Sequence, residues 1–195
     1  MFFDAIITGA PVVVEIAGAP VPINSGFRRA LVFSTMEEDS KAIHVARTLN
    51  LFFAKNGLLP DQVSKYPAEA LSSATEWFEG AYDTMKYGEQ YKSRSLKKRI
   101  FGWREDAGIV AADFMRFYGL DLTSPNTQLH WYTFVNLYMG LIATQGSLIS
   151  QAMAARSPLT GETTKEAERA HARQARAWAL PLTEDELREQ ARLNF

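Results

Sequence analysis

The stretch Leu129-His130-Trp131-Tyr132-Thr133-Phe134, running on to Ala143, constrains this chain more than any other. Trp131, Val135, Tyr138 and Ile142 fall on one helical stripe, and Leu129, Tyr132 and Met139 on a second. A helix that is apolar over most of its surface has to be enclosed by other helices, or lie against another protein chain. Just upstream, Tyr118-Gly119-Leu120-Asp121-Leu122 supplies a helix stop and an acidic turn. An aromatic helix with a sharp entry predicts a mainly α fold built around it.

The chain has 195 residues, 47% hydrophobic and 12% aromatic, enough for one domain with a real core or one domain with a small appendage. A net charge of −1 gives no global attraction to nucleic acid or to an anionic membrane. With no cysteine, disulfides, thiolate catalysis and cysteine metal sites are excluded together, which fits a cytosolic protein. The apolar start, Met1 to Ile7, lacks a basic flank and is broken by Asp4, so a signal peptide is not expected. Trp131 to Ala143 falls short of the roughly 20 residues that span a bilayer and contains Asn136, so no membrane partner is expected.

The first thirty-odd residues read as strand. Val12 to Ile16 is β-branched, Ala17-Gly18-Ala19-Pro20 reads as a turn, and Val21 to Asn24 continues beyond it. A β-hairpin is expected, or a three-stranded meander if Phe3 to Ile7 joins it. At Thr35 the period changes. Thr35-Met36-Glu37-Glu38 has the form of a capping box, and Ile43, Ala46, Leu49 and Phe53 follow on one face up to Gly57. Pro67 suits a first helical position, with Leu71, Ala74 and Phe78 behind it. Between Gly80 and Trp103 the pattern dissolves into tyrosines and cations. Glu105-Asp106 then opens a helix through Val110, Phe114 and Phe117 that ends before Gly119. Further helices are expected from about Thr127 to Ala143 and from Ser147 to Arg156.

Residues 161–195 change character, and a domain break is expected between 1–160 and 161–195. Capping boxes at Thr163/Glu166 and Thr183/Glu186 start two helices separated by Pro181. Their apolar faces are thin (Ala167, Ala170 and Ala175, then Leu187 and Ala191), so they gain little from packing and are suited to docking on a partner.

Catalytic machinery is not found. His44, His130 and His171 lack a second ligand at helical metal spacing, and the glycines form no phosphate-binding loop. The paired acids Glu37/Glu38/Asp39, Glu105/Asp106 and Glu184/Asp185/Glu186 each open a predicted helix, which the helix dipole explains. No enzyme activity, cofactor or metal is expected. The run Lys92 to Arg99, with Tyr87 and Tyr91 before it, is the candidate for nucleic acid. The slightly acidic chain and the lack of a readout motif argue for a solvated loop there instead.

Three passages resemble one family. Val14-Glu15-Ile16-Ala17-Gly18 followed by Val21-Pro22-Ile23-Asn24-Ser25-Gly26-Phe27-Arg28 is similar to a hairpin ending in Ile-Asn-Thr-Asp-Phe-Arg. Asp106, Ile109, Ala111, Ala112 and Phe114 lead into the tyrosine–glycine turn at Tyr118-Gly119. Leu129 to Phe134 is similar to a Leu-His-Trp-Trp-x-Phe signature. Together they resemble the gene-product-fifteen family of tail-region proteins from long-tailed temperate phages, with departures at Ser25-Gly26 and Tyr132. The resemblance implies a non-enzymatic tail assembly chaperone in the host cytoplasm, which keeps the tape-measure protein soluble until the tail tube polymerises. Tail-tube protein and a second copy of the chain are further expected partners. A structural tail connector that stays in the virion, or a nucleic-acid-associated protein using 92–99, is the alternative. Gly119, Leu129, Trp131 and Phe134 are expected to organise the fold, and Trp131, Tyr132, Tyr138 and Leu187 to meet the partner.

Overall fold

A computed structural model describes residues 8–36, 40–82, 99–161 and 163–193. The fold is mainly α, with nine helices and one two-stranded hairpin among the described residues. The chain divides into two compact units, but not at residue 160. One comprises residues 1–95 with 120–140, and the other 96–119 with 141–195. The polar segment 161–195 thus belongs with residues 96–119 and the helix that ends at Arg156, instead of standing alone.

In the first unit, β1 (Val13–Ile16) pairs antiparallel with β2 (Ala19–Pro22), in the register Val14 opposite Val21 and Ile16 opposite Ala19. The turn is shorter than expected: Ala17 and Gly18 alone make it, with φ of 48° and 74°, while Ala19 and Pro20 belong to the strand. Two consecutive positive φ values define the turn type whose twist matches a hairpin. Pro20 and Pro22 fall at alternate, non-hydrogen-bonded positions, so their missing N–H groups cost the ladder nothing. The segment Phe3 to Ile7 lies outside the described residues.

Residues 27–34 depart from the strand expectation and form α1 (Phe27–Ser34). The β-branched run stops at Ile23, and Phe27, Ala30 and Phe33 then fall on one helical face. Thr35 closes this helix. Its hydroxyl donates back to the carbonyl of Leu31 at 3.0 Å. The acids of the expected capping box, residues 37–39, lie outside the described residues, and α2 (Lys41–Phe53) begins after Ser40. Its buried face is Thr48, Leu49, Phe52 and Phe53, rotated from the expected one so that Ile43 faces outward. The short α3 (Asp61–Lys65) leads to α4 (Pro67–Gly80), which has Pro67 in its first turn and buries Ala70, Ala74 and Trp77.

In the second unit, α5 (Ala107–Tyr118) ends at Gly119, whose φ of 66° is the left-handed conformation that terminates helices. The aromatic helix α6 (Trp131–Ala143) starts four residues later than expected, and its first ten residues belong to the first unit. Helix α7 (Leu148–Arg156) is capped by the Ser147 hydroxyl, which accepts from the Ser150 N–H at 3.0 Å. Helix α8 (Lys165–Ala177) is capped by Thr164, one residue after the expected Thr163. Helix α9 (Glu184–Leu193) has the expected box: the Thr183 N–H donates to Glu186 at 2.7 Å and the Glu186 N–H to the Thr183 hydroxyl at 3.2 Å. The Thr183 bonds hold the Glu186 carboxyl below the usual carboxylate range.

Candidate functional site: an aromatic node and an open groove

Two of the sequence motifs meet in the first unit. Residues 23–28 run alongside residues 129–131, about a hundred positions away, and nearly every member has a partner. The Ile23 N–H donates to Val12 O, and the Asn24 side-chain amide donates to the carbonyls of Leu51 and Ala54, both at 3.1 Å. Trp131 N–H donates to Ser25 O at 2.7 Å, and Phe27 N–H donates to Leu129 O at 3.0 Å. The Arg28 guanidinium gathers the loop before α6, donating to the carbonyls of Leu122, Ser124 and Thr127 at 3.0, 2.6 and 2.7 Å. Five directional donors in a planar fork suit a cluster of carbonyls better than a point charge would. Within that loop, hydrogen bonds from the Thr123 hydroxyl and N–H hold the Asp121 carboxyl below its ordinary range.

Behind this seam lies a ladder of stacked rings. Phe27 stacks on Phe134 (5.0 Å), Phe134 on Trp131 (5.6 Å) and Trp131 on Phe78 (5.0 Å), tying α1, α6 and α4 together. The Trp131 indole N–H donates to Phe78 O at 3.0 Å, and the Tyr132 hydroxyl donates to Trp77 O at the same distance. Both rings therefore satisfy their polar ends as well as burying their area. Tyr82 closes against Trp131 and Phe78, and burial pushes its phenol up to about 12.

His130 stands at the edge of this ladder. Its Nδ1 accepts from the Tyr132 N–H at 3.1 Å, so Nε2 carries the proton and donates to Pro11 O, also at 3.1 Å. Protonating Nδ1 would set two N–H groups against each other. Burial lowers the imidazole below its ordinary 6.5, outweighing the Pro11 bond. The unfolded chain therefore takes up this proton at a higher pH than the folded one. Stability should be full above pH 6.5 and fall as pH drops through 6.5 toward the folded value. Denaturation midpoints followed from pH 8 down should show this slope for the wild type and a shallower one for His130→Gln. Equal slopes would remove His130 as the source.

The outer face of α1 and the opposing face of α2 leave an open groove of about 590 Å³, lined by Arg29, Val32, Met36, Ile43, Ala46, Arg47, Asn50 and Leu51. Val32 and Ile43 are 51% and 48% exposed. Among the described residues the floor is aliphatic, and the two charged lining residues are both arginines. Arg29 is held in place by donating to Leu51 O at 2.9 Å. The inner face of α1 is fixed by Phe33, which meets Phe52 and Phe78 edge-on. An apolar trough on a rigid ring-packed base, with cations at its rim, is suited to an amphipathic segment of another chain.

Residues 8–179 match the family described as Bacteriophage Gp15 protein. The chain belongs to that family. As a Gp15 family member it is a phage structural or morphogenesis protein. No curated protein and no solved structure matches the chain.

The residues expected to meet a partner divide sharply in this Gp15 family chain. Trp131, Tyr132 and Tyr138 are 0%, 9% and 5% exposed and face inward, whereas Leu187 is 51% exposed. The groove was missed, because Ile43 and Ala46 belong to the face that the sequence pattern assigns inward, and Val32 to a stretch read as strand. Only Arg99 of the basic run 92–99 is described. It pairs with Glu105 at 2.7 Å, which holds that carboxyl below its usual range, and it donates to Pro181 O.

Asp106 stands at the N-cap of α5, as expected of an acid that opens a helix, but its ion pair was not anticipated. It is buried, and both its oxygens are taken by Arg156 at 2.7 and 2.8 Å. Asp113, equally unanticipated, is fully buried and accepts from the Ile149 N–H at 2.9 Å, capping α7 from α5. A signal for both was present. Ile149, Ala152 and Arg156, like Val110, Asp113 and Phe114, put a charge on an apolar stripe. No helix among the described residues is long and apolar enough to cross a membrane.

Proposed function

We propose that the chain is a non-enzymatic tail assembly chaperone, acting in the host cytoplasm and holding apolar helices of the tape-measure protein in the α1/α2 groove. The observation that carries this reading is an open apolar groove in a Gp15 family chain, with Val32 and Ile43 each about half exposed. Covering either residue gains only about 1 kcal/mol, since full burial of such a side chain is worth about 1.5–3 kcal/mol. Weak contacts repeated along a long helical client add up through multivalency, yet each can be displaced singly when the tube forms.

Co-expression with the tape-measure protein tests the reading. The wild-type chain should keep that client soluble and co-purify with it, and Ile43→Asp should lose both effects while remaining folded. An Ile43→Asp chain that still solubilises the client removes the groove from the mechanism. Recovery of the chain from finished particles would replace the chaperone by a structural connector.

A further inference from the structure

We infer that α8 binds the phosphate backbone of nucleic acid through a stripe of four cations, Lys165, Arg169, Arg173 and Arg176, without reading the base sequence. This stands apart from the chaperone reading, since it needs neither the α1/α2 groove nor a client.

The stripe follows from the helix period. At about 100° per residue, the four side chains fall within an arc of about 80°. All four are exposed, and the half-buried residues of α8, Ala170, His171 and Ala175, centre on the opposite side. The stripe therefore faces away from the unit that carries it. Among the described residues, none of the four side chains has a hydrogen-bond or ion-pair partner. Glu166 and Glu168 stand to either side in the first turn, where the helix dipole favours acid. The Glu168 carboxylate accepts from the Thr163 hydroxyl at 3.1 Å.

Helix stability does not explain the arrangement. Lys165/Arg169 and Arg169/Arg173 are like charges four residues apart, and Arg173/Arg176 are three apart, spacings that destabilise a helix. Lys165 also opens α8, at the positive end of its dipole. A helix with no buried residue is marginal alone, so a face kept only for solvation would do better with acids interspersed. A polyanion laid along the stripe removes the repulsion.

The composition of the face selects the partner. A protein interface centres on desolvated apolar or aromatic anchors, and this arc holds only the cations, with Ala172 and Glu166 at its edges. A membrane-bound amphipathic helix needs large apolar side chains opposite its charges, where α8 has Ala170, His171 and Ala175 half-buried. Nucleic-acid interfaces are polar and strongly positive, and three arginine forks suit phosphate oxygens. The arc has no aromatic or amide side chain to stack on a base or bond its edge, so contacts stop at the backbone. Length agrees: Lys165 to Arg176 spans about 16 Å, roughly five phosphates of one strand at about 3.4 Å each. The net charge of −1 adds no long-range attraction, so binding rests on this stripe.

Anisotropy of a fluorescent duplex of mixed sequence, titrated with the full chain over a range of salt, tests this. Four neutralised phosphates predict a slope of log affinity against log salt of about −3.6, a loss of about 150-fold from about 50 to about 200 mM. A single-stranded probe should give a gentler slope of about −2.8. Arg169→Gln/Arg173→Gln should weaken binding alike for duplexes of different sequence and bring the duplex slope to about −1.8. That variant should unfold no earlier than the wild type, because it loses like-charge neighbours at exposed positions.

A wild type that binds neither probe at about 50 mM salt overturns the inference, since counterion release makes backbone contacts strongest at low salt. So does a slope that Arg169→Gln/Arg173→Gln leaves unchanged, most directly if Lys97→Gln/Lys98→Gln abolishes binding instead. Polyglutamate bound as tightly as the duplex would assign the stripe to an acidic protein and overturn the nucleic-acid partner. Failure of the client co-expression would leave these slopes untouched.

Discussion

Trp131→Ala is expected to lower the unfolding free energy by about 3–5 kcal/mol, the usual cost of removing a large buried aromatic side chain. The indole is fully buried and is the middle member of the ring ladder, stacked on Phe134 and Phe78 and met edge-on by Tyr82. Truncation would leave a void between three helices and orphan Phe78 O, the acceptor of its N–H. Trp131→Phe separates the two losses. It keeps most of the stack but gives up the hydrogen bond, and should cost about 1–3 kcal/mol. Urea denaturation followed by far-ultraviolet circular dichroism is the measurement. A Trp131→Ala chain within about 1 kcal/mol of wild type would take Trp131 out of the core, contrary to the usual penalty for such a cavity.

The second large effect belongs to the other unit. Arg156→Met should destabilise by about 3–5 kcal/mol, because it leaves the Asp106 carboxylate buried without its cation. The guanidinium does more than pair. Beyond its fork to both Asp106 oxygens, it donates to the carbonyls of Ile100 and Trp178, so one side chain ties the entry to α5, the end of α7 and the end of α8. The double variant Asp106→Asn/Arg156→Met should cost less than the sum of the single ones, since it removes both charges together. The carbonyls of Ile100 and Trp178 would still lack a donor, so full recovery is not expected. Strict additivity in urea titrations would mean that the two groups do not act as a pair.

Elements defined by short-range chemistry were legible in the sequence. Pro67 opens α4, Ser147 caps α7, Thr183 and Glu186 start α9, and Gly119 ends α5 with the positive φ that a side chain resists. Each of these signals acts within four residues and needs no knowledge of the neighbours. What escaped depended on partners distant in the chain. Leu49 and Phe53 were placed correctly on the inner face of α2, but Phe52, not Ile43, completes it, because Phe33 and Trp77 wait on that side. Tyr132 and Tyr138 looked like surplus apolar surface. Enclosure of α6 on both stripes turned them inward and left the groove elsewhere. The family resemblance located the residues that build the node, Phe27, Arg28, Leu129, Trp131 and Phe134.

The seam between residues 23–28 and 129–131 also sets a timetable for the nascent chain. Phe27 and Arg28 leave the ribosome about a hundred residues before Leu129 and Thr127, the residues whose carbonyls they bond. At about 5–20 residues per second, that interval is roughly 5–20 s. Over its second half the residues of the hairpin, α1, α2 and α4 have all been synthesised but the Trp131 end of α6 has not, and the faces of Phe27 and Phe78 that will stack on α6 lack their covering rings. A protein proposed to shield another chain's apolar helices thus spends its own synthesis needing the same protection. Its yield in a cell should depend on the host's ribosome-associated chaperones before it depends on anything the finished fold provides.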